Sequence, residues 1–145
     1  RLQIYFSISI MAGETRLKEL IQSMQPRLNT GDYVFVLKPA SIQIPIEHVI
    51  SLFKEKKGIS LVLERQNADD LGLNYDFISA WITLDVHSSL EAVGLTAAVS
   101  NELAKNNISC NVIAAYFHDH IFVDKSDGEK ALKVLTGLSQ NFKSY

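Results

Sequence analysis

The residues with the clearest chemical potential form the tripeptide His118-Asp119-His120. Residues two apart in a strand point to one face, so His118 and His120 could together hold a metal ion. Cys110, on the neighbouring predicted strand, could add a third ligand, but a structural zinc wants four and Asp119 should point to the opposite face. We therefore favour a structural turn in which Asp119 suits the bend and Cys110 is a small buried residue.

Signatures of catalysis are sparse. Asp85 and His87 have the spacing of an acid–base pair at the end of a predicted strand, although such pairs more often brace a loop. His48 falls on a predicted helix, where we expect it to be exposed. No glycine-rich phosphate loop, paired zinc spacing or Ser/His/Asp arrangement with a supporting local signature is found. The sequence predicts a protein that is not an enzyme and that needs no cofactor.

A better candidate for binding is the junction between Leu84 and Leu95, where a strand meets a helix. A helix start offers unpaired amides and a positive dipole end, which suit a carboxylate. Gly94 has no side chain and would let a ligand approach, while Asp85 or Glu91 could hold an ammonium group. The pattern fits a zwitterion, such as an amino acid. The predicted site residues are Asp85, His87, Ser88, Ser89, Glu91, Val93, Gly94 and Leu95.

The structural alternative is that Gly94 only permits tight packing of the helix on the sheet, and that Glu91 is a solvated acid of the first turn. The two interpretations differ in what a side chain at position 94 would do. If the glycine serves a ligand, Gly94→Val should abolish binding and leave the fold largely intact.

The elements around this junction form a βαββα run. Strand formers fill Phe77 to Leu84, and apolar residues recur at helical spacing from Ser89 to Asn106. Two strand-like segments follow, Cys110–Phe117 and Ile121–Val123. The sequence Ser126-Asp127-Gly128-Glu129 reads as a capping box that opens a final helix. Such a run is most of a ferredoxin-like unit.

The first half repeats this pattern weakly after an extra amino-terminal helix. That helix carries an apolar stripe of Leu17, Leu20, Ile21 and Met24, and a strand is predicted over Asp32–Leu37. Pro45 should open a helix from Ile46 to Lys57, with Gly58 at its carboxyl end. A strand over Ile59–Glu64 and a turn-rich linker over Gln66–Asp76 complete this half. Neither half has all four strands, so we expect the two units, or two chains, to complete one another.

The second half resembles an ACT domain. The resemblance rests on Val93-Gly94-Leu95, the helix that follows, Asn107–Ile113, and the string His118-Asp119-His120-Ile121-Phe122-Val123. It extends more weakly back to about Gly31, and the chain is similar to stand-alone tandem ACT proteins of bacteria. In that family a glycine near the first strand–helix junction lets a ligand approach the backbone. Asp85-Val86-His87-Ser88-Ser89 stands where ACT domains usually carry Asp-Arg-Pro-Gly.

The resemblance implies an α+β fold of two ferredoxin-like (βαββαβ, ACT-type) units packed together. It also implies a non-catalytic regulatory module that binds a small molecule, most often an amino acid. A structural or protein-interaction module that has kept the fold without a ligand is the second hypothesis. A metal binder or enzyme that uses the His118-Asp119-His120 turn is the third.

Composition narrows the partners. The chain has 145 residues with 47% apolar and 21% charged residues, an ordinary globular composition. A net charge of −2 argues against nucleic acid and anionic membranes as partners. The single cysteine excludes an internal disulfide and suits a reducing, cytoplasmic location. The aromatic residues Phe77, Trp81, Tyr116 and Phe117 have no basic neighbours that would suit nucleic-acid stacking, so we expect them in a core or an interface.

The predicted organisation has three segments. Residues 1–10 read as a remnant of an expression tag, or alternatively as an amino-terminal strand, because Met11 resembles a native start. Residues 11–75 are expected to form the first ACT-like unit with its extra helix, and residues 76–145 the second. Unmatched sheet edges are an aggregation liability, so we expect a homodimer.

Overall fold

The computed structural model describes residues 16–86 and 93–142. Six antiparallel strands form one sheet: β1 Gln25–Leu37, β2 Val49–Glu55, β3 Gly58–Glu64, β4 Ile78–Asp85, β5 Cys110–Ala114 and β6 Asp119–Asp124. The helices are α1, seen over residues 16–23, α2 Arg65–Asp70, α3 Leu95–Lys105 and α4 Gly128–Asn141, with 3-10 turns at Ile46–His48 and Lys125–Asp127. Within these residues no helix has both the length and the apolar character needed to cross a bilayer.

The two units share the central strands of this sheet. The strand order is β2-β3-β1-β4-β6-β5, so β1 and β4 lie side by side in the middle. The amino-terminal part of β1 (Gln25–Asn29) pairs with β4 and supplies the fourth strand of the second unit. The start of β4 pairs with Tyr33 and Val34 and supplies the fourth strand of the first. The two units therefore complete one another within one chain, which confirms the predicted α+β fold of two ferredoxin-like units. The missing strand no longer calls for a second chain.

One face of the sheet is covered by helices, and the other carries a cluster of aromatic side chains. On the helix face, α1, α3 and α4 cover the second unit and bury a core that includes Ile21, Ile82, Leu103, Ile121 and Leu135. A smaller cluster under α2 and the segment that follows β1 covers the first unit. The opposite face, here called the aromatic face, carries Tyr33, Phe35, Trp81 and Phe122.

The predicted helix from Ile46 to Lys57 is wrong. The chain forms only a 3-10 turn at Ile46–His48 and then strand β2, so His48 lies half-buried in that turn. Gly58 does not end a helix, because it follows the Lys56-Lys57 hairpin turn with a φ of 149°. The apolar residues of this segment fit the spacing of a helix as well as that of a strand, and the segment forms a strand because it pairs with β3.

Four other local predictions are corrected by the structure. Helix α3 begins at Leu95, not at Ser89, because Gly94 has a φ of 103° that no helix interior allows. The expected capping box does not form; the Asp124 carboxylate instead accepts a hydrogen bond from the Ser126 amide at 2.9 Å. The predicted linker after Glu64 contains helix α2. The turn between β5 and β6 is formed by the exposed residues Tyr116 and Phe117 and not by His118-Asp119-His120, so Asp119 and His120 lie in strand β6. The tag or strand predicted for residues 1–10 lies outside the described residues.

Candidate functional site

The structure separates the predicted junction residues onto two faces. Leu84 and Val86 are buried in the helix-face core together with Leu95. Asp85 alternates with them and therefore lies on the aromatic face. Val93 is exposed before α3. His87, Ser88, Ser89 and Glu91 lie outside the described residues.

Gly94 has a packing role. Its backbone adopts a φ of 103°, and an added Cβ would lie 3.1 Å from Leu17 Cδ2 of α1. The space beside this glycine is therefore taken by a side chain of α1, whereas the structural alternative had expected packing of α3 on the sheet. That Gly94→Val leaves the fold largely intact stays a prediction, although a β-branched residue would meet both the backbone strain and Leu17.

We expect Gly94→Ala to lower the stability of the protein by about 1–3 kcal/mol, since it combines a strained backbone with a close contact. Gly72→Ala is the matched control, because Gly72 also has a positive φ, 66°, but no atom within 4 Å of an added Cβ. Chemical unfolding of both variants would measure the difference. Equal losses in the two variants would show that the Leu17 contact contributes nothing.

Asp119 is a functional candidate that the sequence interpretation did not select for binding. It alternates with the core residues Ile121 and Val123, so its carboxylate faces the helices, and the residue is only 7% exposed. Burial raises the pKa of this carboxyl group, and the neighbouring His120 and His118 lower it by a smaller amount. Within residues 16–86 and 93–142, no group donates a hydrogen bond to it. A charged residue at an apolar position of β6 was the sequence signal for this site.

Asp119 lies at the end of the sheet where α3 begins. Its partner across the strand pair is Leu84, and Leu84 shares a core cluster with Leu95, the first residue of α3. Among the described residues, no side chain caps the amino terminus of α3, and the amides of its first turn keep their hydrogen-bonding capacity. Asp119 and this helix start both border the helix-face core, Asp119 through its strand partner Leu84 and α3 through Leu95.

The aromatic face carries a separate polar chain at the same end. Arg27 Nε lies 3.5 Å from Asp85 Oδ2, and His118 Nε2 lies 3.6 Å from Asp85 Oδ1. These three side chains are partly exposed, so each contact contributes about 0.2–1 kcal/mol at most. Asp85 of the predicted Asp85–His87 pair thus contacts Arg27 and His118, and the pairing with His87 stays a prediction because His87 lies outside the described residues.

Further along the same face, Trp81 Nε1 donates a hydrogen bond to His120 Nδ1 at 3.0 Å. Thr83 Oγ1 lies 3.2 Å from the same nitrogen and accepts a bond from Asn29 Nδ2 at 2.9 Å. Burial lowers the pKa of His120, and the neighbouring His118 lowers it further. His120 is therefore held as a neutral side chain.

The three residues considered as metal ligands, His118, His120 and Cys110, do not come together at one site. Cys110 packs against the helix-face core, whereas His120 lies on the aromatic face. Burial raises the pKa of the Cys110 thiol, which disfavours the thiolate that a metal would need. Among the described residues, no group of three or more His, Cys, Asp or Glu side chains is placed to hold a metal ion.

Two family models match the chain in tandem, and both describe an ACT domain. The first covers residues 12–80 and the second residues 77–137. A solved structure from Vibrio cholerae, of a protein of unknown function described as a possible transport protein, is 44% identical. The match covers 88% of this chain and 99% of the other, with a TM-score of 0.78.

More distant structures share the fold. A protein from Agrobacterium tumefaciens is 19% identical over 80% of this chain and 89% of its own, with a TM-score of 0.63. The ligand-free regulatory subunit of aspartate kinase from Thermus thermophilus is 9% identical over 78% of this chain and 95% of its own, with a TM-score of 0.59. No curated protein gives a significant match.

Proposed function

Because the chain belongs to the ACT-domain family, we propose that it is a non-catalytic regulatory module that binds an amino acid. ACT domains generally serve ligand-binding regulatory roles, and the fold is shared with regulatory parts of aspartate kinases. The observation that carries the proposal is the Asp119 carboxylate. Asp119 is nearly buried, its carboxylate receives no hydrogen bond from the described residues, and its strand partner Leu84 belongs to the core cluster that contains Leu95 of α3.

The proposed contacts follow from the chemistry of a zwitterion. Among the described residues no fully buried side-chain oxygen lacks a partner, so the Asp119 carboxylate oxygens reach the surface, where a ligand can contact them. Burial of the rest of the residue disfavours the charged carboxylate, and an ammonium group would supply both an opposite charge and hydrogen bonds. The α-carboxylate of the ligand would bind the first-turn amides of α3, where the helix dipole favours an anion. The ammonium group of an amino acid would thus pair with Asp119, and its α-carboxylate would pair with the first-turn amides of α3.

Within the predicted site, the proposal gives Gly94 and Leu95 the role of setting the start of α3. Asp85 lies on the other face, beside Arg27 and His118, and would act at most as part of the rim. We keep His87, Ser88, Ser89 and Glu91 in the proposed site because they connect β4 to α3 in the sequence.

Regulation would pass through a partner or through the oligomeric state, and we propose a homodimer. Leu37 and Phe53 are exposed at 62% and 68%. In addition, β3 pairs with β1 only from Tyr33 onward, so within the described chain one edge of Gln25–Asn29 is unpaired. Such features suit a second copy of this chain. A cytoplasmic location is part of the proposal and is supported by the single, free Cys110.

A thermal-shift screen of the twenty amino acids tests the function. A ligand at a hundredfold excess over its Kd stabilises the native state by about 2.7 kcal/mol, which such a screen detects. One or a few amino acids should raise Tm, and D-enantiomers of the hits should not. Light scattering with and without the hit should give about twice the 16.2 kDa chain mass in at least one state.

The contrary outcomes separate the hypotheses. If no amino acid raises Tm while the mass is dimeric, the interaction module without a ligand is the better description. A mass that stays monomeric at all concentrations, with and without the hit, would refute the dimer. Stoichiometric zinc after purification without a His-tag would move the metal hypothesis ahead.

A further inference from the structure

The aromatic face contains a cleft that the proposed amino-acid site does not use. β2 and β5 lie at opposite ends of the strand order, yet Ile50 of β2 and Ile113 of β5 line the same cleft. The sheet therefore curls until its two edges face one another. The enclosed space is about 370 Å³, within the lower range of small-molecule sites.

The floor of this cleft is aromatic. Trp81 and Phe122 lie nearly parallel, with their rings 16° apart in orientation and their centroids 6.0 Å apart. Phe122 is 1% exposed and packs edge-on against Phe35, which holds the floor in place. A rigid pair of rings favours a flat ligand, because stacking on an immobile surface orders few additional side chains.

The lining is uncharged. Besides the aromatic floor and the two isoleucines, it consists of Ser51, Ala115 and His120. His120 stays neutral because burial and the neighbouring His118 both lower its pKa. Among the described residues, no charged side chain lines the cleft to compensate an ionic ligand, so desolvation of an ion there would be unfavourable.

His120 gives the cleft one directed hydrogen-bond donor. An indole N–H can only donate, so the bond from Trp81 requires that His120 Nδ1 carry no proton. The proton of the neutral ring then lies on Nε2, which leaves an N–H donor on the side of the ring away from Trp81. Asn29 and Thr83 support this arrangement from behind, since the Asn29 amide bonds the Thr83 hydroxyl and that hydroxyl lies against Nδ1.

We propose that this cleft binds a small, neutral, planar molecule that carries a hydrogen-bond acceptor. Its ring packs on Trp81, and its acceptor receives the bond from His120 Nε2. The site lies on the opposite face of the sheet from Asp119 and α3, so it is independent of the amino-acid proposal and can succeed or fail separately.

The test uses three probes of matched shape at neutral pH: quinoline, naphthalene and 2-naphthoate. Quinoline has an acceptor, naphthalene lacks one, and 2-naphthoate adds a negative charge. Trp81 is the only tryptophan of the chain, so its indole N–H gives a single, assigned resonance in ¹H–¹⁵N spectra. We expect saturable shifts of this resonance with quinoline, binding of naphthalene about threefold to tenfold weaker, and little effect of 2-naphthoate.

Variants of the lining locate the site. His120→Phe keeps a ring but removes the donor, so it should reduce quinoline affinity to that of naphthalene and leave naphthalene unchanged. Ala115→Phe at the rim should weaken both probes. Gly137→Ala, on α4 at the other face, is the control and should change neither. The backbone spectrum of each variant checks that the fold is retained.

Three outcomes would overturn the proposal. The first is no saturable shift with quinoline at millimolar concentration. The second is equal binding of quinoline and naphthalene, or tighter binding of 2-naphthoate, in the unmodified protein. The third is an indole resonance that moves with protein concentration alone, which would make this face an interface between copies.

Discussion

Asp119→Asn should make the protein more stable and at the same time abolish its response to an amino acid. Asp119 as a residue is 7% exposed, and its carboxylate lacks a donor among the described residues, so removing its charge relieves a desolvation penalty. We expect a rise in Tm of roughly 3–6 °C for the unliganded variant, and no further rise with the amino acid found by the screen. A variant that gains stability and loses ligand is a combination that simple structural damage does not produce.

The stability gain should depend on pH in a defined direction. Burial raises the pKa of Asp119 above its unfolded value of 3.8, so the native state binds this proton more tightly than the unfolded state. The penalty is fully present above the native pKa and disappears as the pH falls below the unfolded one. The difference in Tm between the wild type and Asp119→Asn should therefore narrow from neutral pH toward about pH 4.

Asp85→Asn is the control for the position of the site. Asp85 lies on the aromatic face in contact with Arg27 and His118. If the ligand binds on the helix face, this variant should keep the thermal shift. A ligand response that survives Asp119→Asn but disappears in Asp85→Asn would place the ammonium group on the other side of β4 and would overturn the proposed contacts.

The second large effect concerns two glycines of α4 that should respond oppositely to the same substitution. An added Cβ at Gly128 would lie 2.9 Å from Ala80 Cβ, and Ala80 is held by the central strand β4. Gly128→Ala should therefore push α4 away from the sheet and cost about 1–3 kcal/mol. Gly137 has no atom within 4 Å of an added Cβ, so Gly137→Ala should stabilise the helix by about 0.5–1 kcal/mol.

Urea unfolding of the two variants measures these changes on one helix with one chemical substitution. The sign of the Gly128→Ala effect is the critical result. A neutral or stabilising Gly128→Ala would show that α4 can move away from Ala80 at no cost, and the account of its packing would then be wrong. A destabilising Gly137→Ala would show that this position contacts atoms of the chain outside the described residues.

The sequence by itself determined the fold class and the family. Long segments whose apolar residues recur with one clear spacing formed the predicted type of element, because burial of one face requires that spacing. Examples are helix α3 and the strand from Ile78 to Leu84. The string from Asn107 to Val123 carried the ACT resemblance, which the two tandem matches confirm. Two alternatives were open for the missing strands, completion by the other unit or by a second chain, and the structure shows the first, since each unit takes its fourth strand from the other.

Tertiary structure decided what local patterns left ambiguous. The segment from Val49 to Glu55 fits a helix or a strand, and only its pairing with β3 selects the strand. The start of α3 follows Gly94, whose φ of 103° ends any helix before it, and an added Cβ there would meet Leu17 of the distant helix α1. Such choices depend on residues far away in the chain, so no local window contains them.

The site shows the same division for a physical reason. Alternation along a strand separates neighbours in sequence onto two faces, so Asp85 lies on the aromatic face while Leu95 is in the helix-face core. Asp119, from another strand, lies on the helix face opposite Leu84, and we propose that it belongs to the site. Alternation could predict that Asp119 points away from His118 and His120, but not that its face would be covered by helices. That Asp119 is nearly buried is known only from the tertiary structure, and the proposed ligand contact rests on this burial.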